Sequence, residues 1–362
     1  MPVSRVGMIV HEGRPEAVEA AATVHRWCAE RDIPAVEIDI WRQDRPRRSG
    51  REEAESAGYP DLVVTLGGDG TFLRGARVAA ACGAPVLGVD LGRVGFLTEV
   101  CVEDVTKALD AVAGDEATIE DRMTLTLRAS RPLEVPEGIE SLLRYGRGPT
   151  LPAPSVRPGD PVDVGWGVPM NVNAVNDIVF EKLARDRQAS LAVYLAGRLF
   201  ASYSADAIIA ATPTGSTAYS FAAGGPVVSP HMDAVVFTPV APHMAFDRTL
   251  VAAPDESVAV RVLAHSGRVA VSIDGQLRGV IDPGDWVAVY RGRHRLRLIR
   301  LGPTDFYRRV RDRFRLSDAP AAVADGMAAP LIRPDQPVPP DLAGLRLPPP
   351  EEEEGADGGA AH

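Results

Sequence analysis

Between residues 3 and 115, short β-branched runs alternate with segments of helical length, and that alternation leaves few folds open. Val3 to Val10, Ala35 to Ile40, Asp61 to Leu66 and Ala84 to Asp90 read as strands. Arg14 to Arg31, with Pro15 where a first turn tolerates it, reads as a helix, as does Thr71 to Ala81, stopped by Gly83. Strands joined by helices of this length imply a parallel sheet with flanking helices. Arg42 to Gly58 is charged and reads as a loop.

From Arg122 the pattern changes. Met123, Leu125 and Leu127 alternate with Thr124, Thr126 and Arg128. Further short strands are expected at Asn173 to Phe180, Leu191 to Tyr194, Ala207 to Ala211, Ser257 to Leu263, Val269 to Ile273 and Trp286 to Tyr290. A helix is expected after Gly215, and a last strand at His294 to Leu301. This second part is therefore mainly β. Residues 131–170, with eight prolines, read as an irregular insertion. Residues 317–362, with nine prolines and the run Glu351 to Glu354, read as a disordered tail.

That tail also governs the charge. Its nine acidic residues and two arginines account for −7 of the net −10, so the body makes no strong electrostatic case for or against nucleic acid. The longest apolar runs fall short of the eighteen residues a membrane span needs, and the N-terminus lacks a secretory apolar core. Cys28, Cys82 and Cys101 show no metal-type spacing, so a reduced, cytoplasmic protein without a structural zinc is expected. Neither lysine, Lys107 or Lys182, follows a Gly-x-x-x-x-Gly pattern, which excludes a P-loop enzyme.

Three stretches can carry chemistry. Gly67-Gly68-Asp69-Gly70-Thr71 lies between a buried strand and a helix, where glycines let phosphates approach and helix N–H groups meet an anion. An aspartate there suits proton removal from an attacking hydroxyl, or metal holding; a plain Asp-Gly turn is the alternative. Thr212-Pro213-Thr214-Gly215-Ser216-Thr217-Ala218-Tyr219, followed by Ser220, offers four or more hydroxyls to a ribose or phosphate, where a helix cap needs one. Asn176-Asp177 places two polar side chains within an apolar strand, suited to an adenine edge and ribose hydroxyls, or simply to a strand end. Asp274-Gly275 reads as a hairpin turn, His243 as a residue near a site, and Arg47-Arg48 and Arg308-Arg309 as solvated faces.

Together with Ala223-Gly224-Gly225-Pro226 and Pro239-Val240-Ala241-Pro242-His243, these stretches closely resemble the NAD kinase family, over residues 3–130 and 171–302. Diacylglycerol and sphingosine kinases and phosphofructokinases share related glycine turns, but not the Thr-Pro-Thr-Gly-Ser-Thr-Ala-Tyr stretch. The resemblance implies a Rossmann-like α/β domain over residues 1–120 and a β-sandwich-like domain over 121–290, with the site in the cleft between them. A segment over 291–316 would return to the first domain. It implies phosphorylation of NAD to NADP by ATP or polyphosphate with Mg²⁺ or another divalent metal, in a homodimer or homotetramer.

By the same resemblance, Asp69 takes the proton of the adenosine ribose 2′-hydroxyl. Gly70 and Arg74 lie against nucleotide, and Asn176 and Asp177 make the adenine and ribose contacts. Arg187, Ser204, Asp206, Thr217, Ala218, Tyr219, Ser220, Phe221, Ala222, Ala241 and Gln276 complete the pocket. Many relatives have Asn-Glu where this chain has Asn176-Asp177, which shifts the carboxylate's reach by about one methylene. A lipid kinase and a non-catalytic NAD sensor are the rival classes; phosphorylation of lipid vesicles, or NAD binding without donor consumption, would mark them.

Overall fold

The computed structural model describes residues 2–40, 50–92, 94–145, 151–153, 167–183, 188–244, 246–302 and 305–316. Residues 1–309 form one compact unit. The other unit, residues 310–362, is described only through Leu316, whose N–H donates to the carbonyl of Arg311.

The chain begins with β1 (Val6–Val10), α1 (Pro15–Ala29), β2 (Ala35–Glu37), α2 (Gly50–Ser56) and β3 (Leu62–Leu66). It continues through α3 (Asp69–Cys82), β4 (Val86–Asp90), β5 (Val100–Cys101), α4 (Val105–Ala113) and β6 (Thr118–Arg122). β1, β3 and β4 are buried along nearly their whole length, as continuous apolar runs in a parallel sheet must be. One face is covered by Val24 and Trp27 of α1 and Leu109 of α4, the other by Phe72, Ala76 and Ala79 of α3. α2 corrects the loop expected at Arg42 to Gly58: Ala54 and Ala57 pack on that second face, so residues 50–56 have a surface to bury.

The second part contains β7 (Leu125–Ala129), α5 (Ile139–Tyr145), β8 (Val168–Pro169), β9 (Asp177–Lys182), β10 (Ala189–Leu195), β11 (Arg198–Ala205) and β12 (Ala207–Ala211). After a 3₁₀ turn at Thr214–Thr217 come α6 (Tyr219–Ala222), β13 (Val235–Val240), β14 (Leu250–Ala252), β15 (Val258–Val262), β16 (Val269–Ile273), β17 (Gln276–Ile281), β18 (Trp286–Arg291), β19 (Leu296–Arg300) and α7 (Phe306–Phe314). Two antiparallel sheets, ordered β11-β10-β15-β18-β7-β8 and β14-β13-β12-β9-β16-β17, share one core. Leu125, Leu191 and Val260 of the first meet Phe180, Ile208 and Val271 of the second, which makes a sandwich. β19 leaves these sheets and pairs parallel with β4 and antiparallel with β6, completing the order β2-β1-β3-β4-β19-β6.

Two further expectations change. Around and after Gly215 there is one 3₁₀ turn, Thr214–Thr217, and one α turn, Tyr219–Ala222, separated at Ala218, whose φ and ψ of −102° and −125° are not helical. Part of the 131–170 segment is core: Arg131 is buried against Asp285 and Asp282, and Ile139 and Leu151 pack with Leu183, Ala270 and Val280. The expected tail at 317–362 lies outside the described residues.

Candidate functional site

β1 leads to β2 on one side and, after α2, to β3 on the other. Strand order therefore reverses between β1 and β3, where open α/β sheets take ligands at their carboxyl ends. Gly67 and Gly68 carry the chain from β3 into α3, so Asp69 and Gly70 sit in a helix's first turn. The Asp69 carboxylate accepts N–H bonds from Phe96 (3.1 Å) and Leu97 (3.0 Å). Each oxygen keeps a further lone pair for another donor. Gly95 must be glycine here, since a Cβ would overlap the Asp69 carboxylate. The loop is braced by Thr98, whose hydroxyl accepts from the Gly95 N–H at 2.6 Å and donates to Asp90 at 3.2 Å.

Arg309 corrects the solvated-face reading. Its guanidinium is only one-fifth exposed and donates to the carbonyls of Gly95, Phe96 and Thr98 and to Glu99. Arg308 beside it is exposed, and Arg47-Arg48 lie outside the described residues.

Asn176 precedes β9, and Asp177 is its first residue. Both are held by Asp274, from the β16–β17 turn, whose carboxylate accepts N–H bonds from Val175 (2.9 Å), Asn176 (2.7 Å) and Asp177 (3.1 Å). Asp274 and Gly275 adopt positive φ (47° and 72°), the two-residue hairpin expected from Asp-Gly. Asp177 is 4% exposed, with no hydrogen bond to its carboxylate among the described residues. Burial, and then the neighbouring Asp274, push its carboxyl up to about 7. Burial raises Asp274 too, while its three backbone N–H bonds pull the other way.

The hydroxyl-rich turn differs from expectation. Thr212, Thr214, Ser216 and Ser220 are buried. Thr212 Oγ1 donates to Val175 O at 2.5 Å and accepts from Gly215 N–H at 2.9 Å. Ser216 Oγ bonds Pro213 O and Val228 N–H; Thr217 donates to Thr214 O; Ser220 pairs with Thr238 at 2.9 Å. These hydroxyls hold the turn against Asn176, whose carbonyl accepts the Thr212 N–H and leaves no room for a Cβ at Gly215. Tyr219 and Phe221 remain the exposed aromatic surface, at 40% and 38%. Burial, then the charges of Glu181, Asp177 and Asp206, raise the Tyr219 hydroxyl.

A cleft of about 580 Å³ opens beside Gly70, lined by Arg51, Leu73, Arg74, Asn173, Asp274 and Gln276, among others. Gln276 Oε1 accepts from Arg77 (3.0 Å) and Arg278 (3.3 Å). Arg77 also grips the buried carboxylate of Glu53 at 2.6 and 2.8 Å, so one guanidinium ties α2 to the β17 hairpin across α3. A second network joins Ser204 Oγ to Gln188 (2.7 Å), Gln188 to Ala241 O (3.3 Å), and His243 N–H to Ser204 O (2.8 Å). Asp206 pairs with Lys182 at 2.5 Å. Arg187 lies outside the described residues.

The model of the ATP-NAD kinase N-terminal domain matches residues 6–117, and that of the ATP-NAD kinase C-terminal domain residues 175–301. The chain is 64% identical over 349 residues to NAD kinase 1 of Streptomyces avermitilis, covering 96% of this chain and 98% of that protein. It is 63% identical to NAD kinase 1 of Streptomyces coelicolor, with 99% and 98% covered. In fold it resembles yeast NADH kinase complexed with NADH (TM-score 0.68, 21% identity, 88% and 89% covered). It also resembles an NAD kinase from Archaeoglobus fulgidus in complex with ATP (TM-score 0.57, 19% identity, 86% and 98% covered). With both family domains matched in order along a chain whose glycine turn holds a carboxylate at the sheet's switch point, this protein belongs to the ATP-NAD kinase family, the phosphotransferases that convert NAD to NADP.

Proposed function

We propose that the chain phosphorylates the 2′-hydroxyl of the adenosine ribose of NAD, with Asp69 as proton acceptor. The observation that carries this reading is the Asp69 carboxylate, fixed by two backbone N–H groups in the first turn of α3, the helix whose Gly70, Leu73 and Arg74 line the cleft. The ribose 2′-O–H donates to Asp69; as the oxygen bonds to the terminal phosphorus of the donor, the proton passes to the carboxylate and the bridging P–O bond breaks. With ATP as donor, ADP leaves.

Asn176 and Asp177 take the adenine edge and the ribose hydroxyls. Tyr219 and Phe221 supply the flat apolar surface, and Asp206, Ser204, Thr217, Ala218, Ala222, Ala241, Gln276 and Arg187 are the further NAD contacts, while Ser220, buried and paired with Thr238, supports the turn behind them. Gly70, Arg74 and Arg51 face the donor phosphates, whose charge arginine forks complement in the absence of a P-loop lysine. The Archaeoglobus complex favours ATP as a donor; inorganic polyphosphate presents the same terminal phosphate chemistry.

A divalent metal belongs with the donor: Mg²⁺ is commonly held by one or two carboxylates together with substrate phosphates, whose charge it neutralises. Asp69 and Asp90, near the glycine turn, are the acids placed for such a role, and among the described residues no three-ligand cage is present. A homo-oligomer fits the exposed Leu199 and Phe200 on the edge strand β11, where Phe200 stacks on Phe246. Three unpaired thiols fit a cytoplasmic setting, and among the described residues no helix is long and apolar enough to cross a membrane.

The test is NADP formation by the purified protein from NAD and Mg²⁺, with ATP and with polyphosphate in parallel. The reading expects a 2′-phosphorylated product with at least one donor. NAD binding with no product from either donor would overturn it.

A further inference from the structure

Two consecutive peptide groups lie between a guanidinium and the Asp69 carboxylate. In the Gly95–Phe96 peptide, the carbonyl accepts from Arg309 Nη1 at 3.1 Å and the N–H donates to Asp69 at 3.1 Å. In the Phe96–Leu97 peptide, the carbonyl accepts from the same nitrogen at 3.3 Å and the N–H donates to Asp69 at 3.0 Å. Carbonyl and N–H of a trans peptide point opposite ways, so each unit is held at both ends, its dipole running between opposite charges. Rotating either peptide away from Arg309 also turns its N–H away from Asp69.

The guanidinium is itself locked. It makes a third carbonyl bond, to Thr98 at 2.8 Å, and pairs with Glu99 at 3.1 Å. Glu99 is fixed in turn by Arg300, 3% exposed, at 2.7 Å. The Phe306 ring, one turn before Arg309 on α7, packs on Phe96 with centroids 6.3 Å apart. Nη1, with two hydrogens, serves the three carbonyls, so two of them share one N–H, while Nη2 pairs with Glu99; lysine lacks the second nitrogen that holds the first in place.

We propose that Arg309 is a positioning residue for the reaction: from the far side of the Gly95–Thr98 loop it sets the two peptides that aim the Asp69 carboxylate. This rests on Asp69 as the proton acceptor. Removing the fork keeps the carboxylate itself but frees the two peptides that aim it, and misplacement of about 1 Å at a reacting group costs roughly 100-fold in turnover.

The experiment is a double-mutant cycle on the full chain, with kcat, NAD affinity and folded fraction measured for wild type, Asp69→Asn, Arg309→Ala, Arg309→Lys and Asp69→Asn/Arg309→Ala, and with Arg308→Ala as the exposed neighbour. Arg309→Ala is expected to lose about 100-fold in kcat while NAD affinity stays within about threefold. Added guanidinium ion, at concentrations that leave wild-type activity unchanged, should restore part of that loss. In the Asp69→Asn background the same change should cost less than about threefold, because the residue it acts through is gone. If Arg309→Ala does not fold, Arg309→Lys takes its place in the cycle, with a smaller loss in kcat and the same dependence on Asp69.

A kcat per folded molecule close to wild type, or a loss equally large without Asp69, would overturn the proposal. Near wild-type turnover in Asp69→Asn would overturn the proton-acceptor reading itself. An inactive Asp69→Asn beside a fully active Arg309→Ala would remove Arg309 alone.

Discussion

Asp177 is the side chain whose chemistry depends most on its surroundings. Buried beside Asp274, its carboxyl titrates at about 7 rather than near 4. The folded pKa lies above the unfolded one, so the free protein is stabilised by protonation: this contribution fades as pH rises from about 4 to 7 and is absent above. In the proposed complex with NAD, ribose hydroxyls donating to the ionised form would shift the balance the other way. NAD affinity should therefore rise with pH between about 6 and 8, by at most tenfold per unit, and Asp177→Asn should flatten that slope. Calorimetric titration of NAD across this range checks it; a slope unchanged in Asp177→Asn would assign the titration to another group.

At the scale of elements, the hydroxyl-rich turn shows how function and scaffold share residues. Thr212, Ser216 and Ser220 spend their hydroxyls on Val175, Val228 and Thr238, and this presses Gly215 onto the Asn176 carbonyl. Replacing Thr212 by Val keeps the shape but strands a buried carbonyl and the Gly215 N–H. Chemical denaturation should show a loss of roughly 1–3 kcal/mol, with Thr212→Ser close to wild type. An equal stability for Thr212→Val would mean that the turn is held by packing alone.

The elements themselves were legible where one face or both are buried. β3 and β12 are continuous apolar runs, and β16 and β17 meet at an Asp-Gly pair that marks a hairpin by itself. α2 was not legible, because only Gly50, Glu53 and Ala54 of its seven residues are buried and Glu53 is there for Arg77.

For the molecule as a whole, the glycine turn, Asn176-Asp177 and the 212–219 turn are candidates that the sequence offers, because each carries its signal locally. The groups that orient them do not. Asp274 reaches residues 97 to 99 positions away, and Arg309 supports a loop more than 200 positions away. Nothing around Arg309 in sequence separates it from Arg308, although one is bonded on four sides and the other is exposed. At Gly95 the reason for a glycine, the carboxylate pressed against it, likewise lies in a residue 26 positions away.

The fold is what brings these distant residues together. β19 returns from the sandwich to lie between β4 and β6, and Arg300 at its end joins Glu99 to Glu120. The same return delivers Arg309 to the loop that holds Asp69. The measurement that bears most directly on this account is turnover and NAD affinity of Asp69→Asn, an isosteric change that removes the base and keeps an acceptor for a loop N–H. The account predicts a fall in kcat of at least about 100-fold with NAD affinity within about threefold. Turnover close to wild type would show that Asp69 does not take the proton.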